Sequence, residues 1–328
     1  MGKRKINNIL EIEILTFENI DQIHMNKTLF FFLLLALAGI LPQQSYAQSN
    51  NPTVFVTTSW LAEHLNDSSL IILNVAPIRR DYERGHILGA RFLWNGWIYQ
   101  SNPELSSELL PIAQLDSTLE KLGVSNDSRI ILCGIGGNVS QVARIFVTLD
   151  YLGMGDRTSI LDGGYDAWKA EGKPVTKELL VYQRGTFAPK LNPLAIVDAE
   201  FVKSGLHKPD ISIIDARAPQ FYNGSNSGGF PRAGAIPTAK NIFAGSLIDS
   251  TNKMIPMTRI GEKFDSAGVK KGNDVIVYCH SGVSACVVYT AARSLGYTPH
   301  LYDGSFEDWS GREDLPLALP QKQDSIKK

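Results

Sequence analysis

A block of roughly 140 residues occurs twice in this chain, and that duplication limits the possible fold more than any other feature. Leu161-Asp162-Gly163-Gly164-Tyr165-Asp166-Ala167-Trp168 returns as Tyr302-Asp303-Gly304-Ser305-Phe306-Glu307-Asp308-Trp309, an offset of 141. Arg84-Gly85-His86-Ile87-Leu88-Gly89-Ala90 returns as Ala233-Gly234-Ala235-Ile236-Pro237-Thr238-Ala239, an offset of 149. Leu122-Gly123-Val124, ahead of a run ending at Cys133, returns as Ala267-Gly268-Val269 ahead of a run ending at Cys279. Ordered matches at a nearly constant offset mark a duplication, and a unit of this length is a domain rather than a solenoid repeat.

Within each copy, short β-rich runs alternate with longer helical stretches. Ile211 to Ile214 reads as a buried strand ending in Asp215, and Asp274 to Tyr278 as another ending in Cys279. Ser284 to Leu295 follows as a helix, with Arg293 in its last turn and Gly296 closing it. Such alternation predicts an α/β fold in which each domain is a mainly parallel sheet flanked by helices. Ligands of such sheets sit beyond the carboxyl ends of the strands, where Asp215 and Cys279 fall. The linker is expected over 181–193, between a domain at 48–180 and a second at 194–328.

Residues 1–47 are read as an upstream extension and a cleaved signal peptide. Met25 to Ala47 carries Lys27, thirteen apolar residues from Leu29 to Leu41, a break at Pro42, and small residues Ser45 and Ala47 before a cleavage at Gln48. The apolar run falls short of the roughly 20 residues that span a bilayer. Met25 is the expected start, no lipobox cysteine precedes the cut, and the mature protein is expected in the periplasm or secreted, not embedded in a membrane. With 32 basic against 33 acidic side chains, nothing favours nucleic acid as a partner.

Cys279 is the informative residue. The stretch Cys279-His280-Ser281-Gly282-Val283-Ser284 places a thiol at a strand's end, then a Gly/Ser loop, then a helix. A loop curled this way aims amide N–H groups at the sulfur, and the helix start adds positive potential. Both favour thiolate, which turns a cysteine of ordinary pKa roughly 8.5 into a nucleophile. A purely structural cysteine does not need such a loop.

The repeated unit resembles the rhodanese domain, and residues 48–328 resemble a tandem-domain sulfurtransferase of the thiosulfate/3-mercaptopyruvate type. The likeness rests on Asp215-Ala216-Arg217, on Arg232 to Asn241, on the Cys279 loop, and on the Asp-Gly-x-Phe/Tyr-x-x-Trp endings. It implies that Cys279 takes a sulfane sulfur from a small-molecule donor as a persulfide and passes it to cyanide or a thiol, without cofactor or metal. Within that resemblance Arg217 faces the donor's anionic group, Arg217→Ala raises the donor's KM, and Asp215 supports it. The alternative for Arg217 is a structural pair with Asp215. Arg232 is a weaker candidate of the same kind or a solvated charge. His280 and Ser281 follow neither donor pattern of the family fully: Ser281 leans towards mercaptopyruvate, while His280 is cationic, neutral or merely solvent-facing.

In the first copy, Asn74 and Ala76 stand where the second has Asp215 and Arg217. Cys133 falls near the place of Cys279, followed by what reads as a longer loop, so the first domain is expected to be a non-catalytic scaffold. Trp94 and Trp97 line the cleft or pack ordinarily. Cys286 is a packing residue or a resolving thiol. Phosphatases of similar architecture need an arginine six positions after the cysteine, and Ala285 stands there. The rival readings are a non-catalytic rhodanese-fold binding module and a sulfur carrier.

Overall fold

The computed structural model describes residues 53–319; the expected signal segment lies outside them. The first domain runs β1 (Phe55–Val56), α1 (Thr58–His64), β2 (Leu70–Val75), α2 (Arg79–Arg84), β3 (His86–Ile87), β4 (Arg91–Leu93), β5 (Tyr99–Gln100), β6 (Glu108–Leu109), α3 (Ile112–Lys121), β7 (Arg129–Gly134), α4 (Val139–Tyr151), β8 (Thr158–Leu161), α5 (Gly164–Ala170) and β9 (Val175–Thr176). No helix or strand occurs over 177–195. The second domain follows with β10 (Ile196–Val197), α6 (Ala199–Gly205), β11 (Ile211–Asp215), α7 (Pro219–Tyr222), β12 (Lys240–Asn241), α8 (Met257–Ser266), β13 (Asp274–Tyr278), α9 (Ala285–Ser294), β14 (Thr298–Tyr302) and α10 (Ser305–Gly311).

The duplication is visible in the sheets. One is ordered β1-β8-β7-β2-β4 and the other β10-β14-β13-β11-β12, the same path in both halves. Every pairing within these two sheets is parallel. Their central strands are continuous apolar runs, as strands covered on both faces require.

One face of each sheet packs on its own domain's helices. The other faces meet in a single core where α4 and α9 contribute Val142 to Leu149 and Ala285 to Ala292. Burying each large side chain of that seam stabilises by about 1.5–3 kcal/mol, so the halves hold each other in place. Helix α9 ends as its sequence requires. Gly296 adopts φ +83°, its N–H donates to Arg293 O, and Tyr297 N–H reaches back to Ala292 O. No described helix is long and apolar enough to cross a membrane.

Candidate active site

Cys279 lies one residue past β13, 2% exposed, and its thiol is free, as are those of Cys133 and Cys286. Its N–H donates to Ser305 Oγ (3.2 Å), which in turn donates to Tyr302 O. Ser305 takes φ +53° to hold that position.

The loop that follows is organised by its carbonyls. Cys279 O accepts from Phe306 N–H (3.1 Å) and His280 O from Glu307 N–H (2.9 Å), both at the start of α10. Gly282 O accepts from Arg144 Nη1 (3.3 Å) and from the Cys286 thiol (3.1 Å). Val283 O and Ser284 O accept from the amides of Cys286 and Val287. A trans peptide sets each N–H opposite the preceding carbonyl. Carbonyls anchored outward therefore turn the amides of His280, Ser281, Val283 and Ser284 the other way. Those amides, with that of Gly282, have no acceptor among the described residues. The side chains of Ser281 and Ser284 likewise make no hydrogen bond there.

Gly282 is required twice over. It adopts φ +75°, and a Cβ would come within 2.7 Å of Asp303 O and 2.9 Å of Asp303 Oδ1. The Arg144 guanidinium stands behind it, paired with Asp303.

The structure corrects several expectations. Arg217 does not face the loop mouth as a free cation. It is buried, with Nε on both oxygens of Asp215 (3.0 and 3.1 Å) and Nη2 on Asp215 Oδ2 (2.6 Å) and Gly234 O (2.7 Å). Its guanidinium lies 3.7 Å above the Phe306 ring. Tyr278 adds a hydroxyl to Asp215 Oδ2. Arg232 is neither an anion site nor solvated: it donates to the carbonyls of Trp309, Ser310, Arg312 and Leu315, closing the C-terminal end of α10, where a cation suits the dipole. His280 is half-buried between aromatic rings and not merely a solvent-facing loop residue. Its ring stacks on Phe230 (5.4 Å) and meets Phe221 edge-on (4.6 Å). Burial, then the nearby charge of Arg217, holds its pKa below the ordinary value.

Cys133 is not the counterpart of Cys279. Asn74 pairs across the sheet with Cys133, as Asp215 pairs with Tyr278. Gly134 thus occupies the place of Cys279, and Cys133 that of Tyr278. The first-domain loop is not longer either: residues 135–138 separate Gly134 from α4, whereas 280–284 separate Cys279 from α9. Helix α4 starts early because Asn138 Nδ2 is tied to Val75 O. Gly136 N–H, which in an active loop would be free, donates to the Asp166 carboxylate (2.8 Å). Trp94 and Trp97 pack edge-on against each other, and Trp97 on Phe92, within the first domain.

Sequence reasoning missed Phe221, Phe230, Ser305, Asp303 and Arg144. Only Arg144 left a local sign, a lone cation in the apolar run from Val142 to Leu149.

Fold and site together define a tandem α/β protein with one cysteine loop, built in the second domain and lost from the first. The family described as "Rhodanese-like domain" matches residues 57–171 and 198–312, and the chain belongs to it. Similar proteins include a "Putative thiosulfate sulfurtransferase" of Synechococcus elongatus, 31% identical over 87% of this chain and 91% of that one. A "Sulfur carrier protein TtuD" of Thermus thermophilus is 28% identical, covering 82% and 97%. The "3-mercaptopyruvate sulfurtransferase" of Escherichia coli is 29% identical, covering 81% and 98%.

Proposed function

We propose that this rhodanese-family protein is a sulfurtransferase in which Cys279 carries the sulfur. The observation that bears most weight is the row of amides from His280 to Ser284 without acceptors among the described residues, beside a thiol at a strand's end. Such donors stabilise a thiolate, then the persulfide, and the charge that builds during transfer, as an oxyanion hole does for oxygen.

The thiolate attacks the donor's outer sulfur. With thiosulfate the S–S bond breaks and sulfite leaves; with 3-mercaptopyruvate the C–S bond breaks, the thiol hydrogen ends on carbon, and pyruvate leaves. Either way Cys279 gains one sulfur, which a thiophilic acceptor (cyanide or a thiol) then removes. The two arginines beside the loop, Arg144 and Arg217, are each committed to protein acceptors, and Arg232 is tied up at the far end of α10. A neutral His280 and the hydroxyl of Ser281 therefore suit a monoanionic donor, and 3-mercaptopyruvate is the preferred one.

Steady-state kinetics with both donors, with mass spectrometry of Cys279, tests this. One added sulfur on Cys279, faster turnover with 3-mercaptopyruvate and none in Cys279→Ser are expected; a Cys279→Ser protein with wild-type turnover would refute it. The similarity to a named sulfur carrier supports a second reading, persulfide accepted only from a partner protein, which predicts no turnover with either small donor. Export directed by Met25 to Ala47 completes the reading, and fractionation of cells expressing the full chain would show a processed product beginning at Gln48.

A further inference from the structure

Arg144 belongs to the domain without the nucleophile, yet it is one of the most deeply buried large side chains of the protein. Around it helix α4 is apolar from Val142 to Val147, α9 packs along it, and the other buried charge of the helix, Asp150, is bonded to Tyr289 and Arg293 of α9. A buried guanidinium is costly to desolvate, and an apolar side chain of similar volume would fill the seam at least as well for stability. Its bonds show a different use. Nη1 donates to Asp303 and to Gly282 O (3.3 Å), Nη2 to Ser107 O (3.0 Å), and Nε has no partner among the described residues. The Cys286 thiol donates to the same Gly282 carbonyl.

We propose that Arg144 is a positioning residue for sulfur transfer: by holding the Gly282 carbonyl toward the first domain, it turns the Val283 N–H into the loop that receives the Cys279 sulfur. The peptide Gly282–Val283 is one rigid plane, so anchoring its oxygen sets the direction of its N–H. Gly282, free of a Cβ and at positive φ, is the residue around which this plane would otherwise rotate. Asp303 keeps the guanidinium in place, and Cys286 supplies a second, weaker hold. The first domain is thereby needed for chemistry it does not itself perform. This inference rests on Cys279 being the sulfur carrier, which the Cys279→Ser variant tests separately.

The experiment compares Arg144→Met and Arg144→Lys with wild type in two readouts: the pH dependence of Cys279 alkylation by iodoacetamide, and kcat and KM for sulfur transfer. With one aligned donor lost, the alkylation midpoint should move to higher pH, and kcat should fall roughly 10- to 100-fold while KM changes little. Arg144→Lys keeps a cation beside Asp303 but cannot span both acceptors, so it should fold and show the same direction of change to a smaller extent. It carries the test if Arg144→Met does not fold. Folded Arg144→Lys with the wild-type alkylation profile and kcat would overturn the proposal, leaving Arg144 a domain-to-domain tie. A loss confined to KM would overturn it equally.

Discussion

Asp215 and Arg217 form a closed ion pair two residues apart, with Nη2 2.6 Å from Oδ2 and both side chains almost wholly removed from solvent. Desolvation alone would lower the Arg217 pKa, but the Asp215 carboxylate raises it above the ordinary value. Removing one partner of such a pair strands the other, at a cost of about 3–5 kcal/mol. Arg217→Ala is therefore expected to lower the midpoint of urea unfolding sharply. The fraction that folds should keep a near-normal KM, contrary to the donor-binding role that the motif suggests. A stable Arg217→Ala with KM raised by an order of magnitude would restore that role.

His280 supplies a second expectation. Its pKa lies below the ordinary 6.5, so the unfolded chain binds the proton more readily than the folded one. Stability from this residue is complete above pH 6.5 and declines as pH falls through that value toward the folded pKa. His280→Asn should flatten that limb of a melting-temperature profile. A permanent cation at the same place would favour a dianionic donor. If His280→Lys contributes roughly 1.4 kcal/mol to thiosulfate relative to 3-mercaptopyruvate, the ratio of their kcat/KM values rises about tenfold. An unchanged ratio would show that residue 280 does not sense donor charge.

Glu108 behaves in the opposite sense. It lines the cleft between the domains with Asp303, Asp308 and Arg312, and its Oε1 has no partner among the described residues. Burial, then the charge of Asp303, pushes its pKa up to about 7. The folded state therefore holds this proton more tightly than the unfolded chain. Its contribution to stability is whole below pH 4.5 and is lost as pH rises through 7. Glu108→Gln should remove that loss and melt higher than wild type at pH 8. Identical profiles for the two proteins would mean that Glu108 is ionised throughout.

The duplication, the parallel α/β architecture and the local elements were all legible in the sequence. The strands expected from Ile211 to an end in Asp215 and over Asp274 to Tyr278 are found as read, and α9 differs from the expected helix by one residue at each end. Strands and a glycine-closed helix are set by neighbours in the chain, so pattern suffices. The pairing of Arg217 with Asp215, two residues away, was open as the alternative reading, but the fate of Arg232 was not legible, because the four carbonyls near Trp309 that hold it are assembled only by the folded chain. The place of Cys133 was within reach: the Leu122-Gly123-Val124 repeat, 145 residues ahead of Ala267-Gly268-Val269, sets Gly134 against Cys279, and a shift of one residue in a strand reverses the direction of the side chain. Arg144 escaped for a simpler reason: its contact with Gly282 spans 138 positions and two domains.

The register also yields a test of the first domain. Cys133 is fully buried, and burial together with the charge of Asp166 pushes its thiol well above the ordinary range, so it is no nucleophile near neutrality. Cys133→Ser should keep turnover within about twofold of wild type. Moving the cysteine to the matching position should not rescue chemistry. At Gly134 a Cβ would collide with Asn138 Oδ1 and meet Val142 Cγ2 at 2.9 Å, and the neighbouring loop amide of Gly136 is already taken by Asp166. The double variant Gly134→Cys, Cys279→Ser is accordingly expected to form no persulfide with either donor. A sulfur gained at residue 134 would mean that the first domain lost only its thiol. Its absence, with the fold intact by circular dichroism, would mean that Asn138, Val142 and the Asp166 carboxylate together have closed the site.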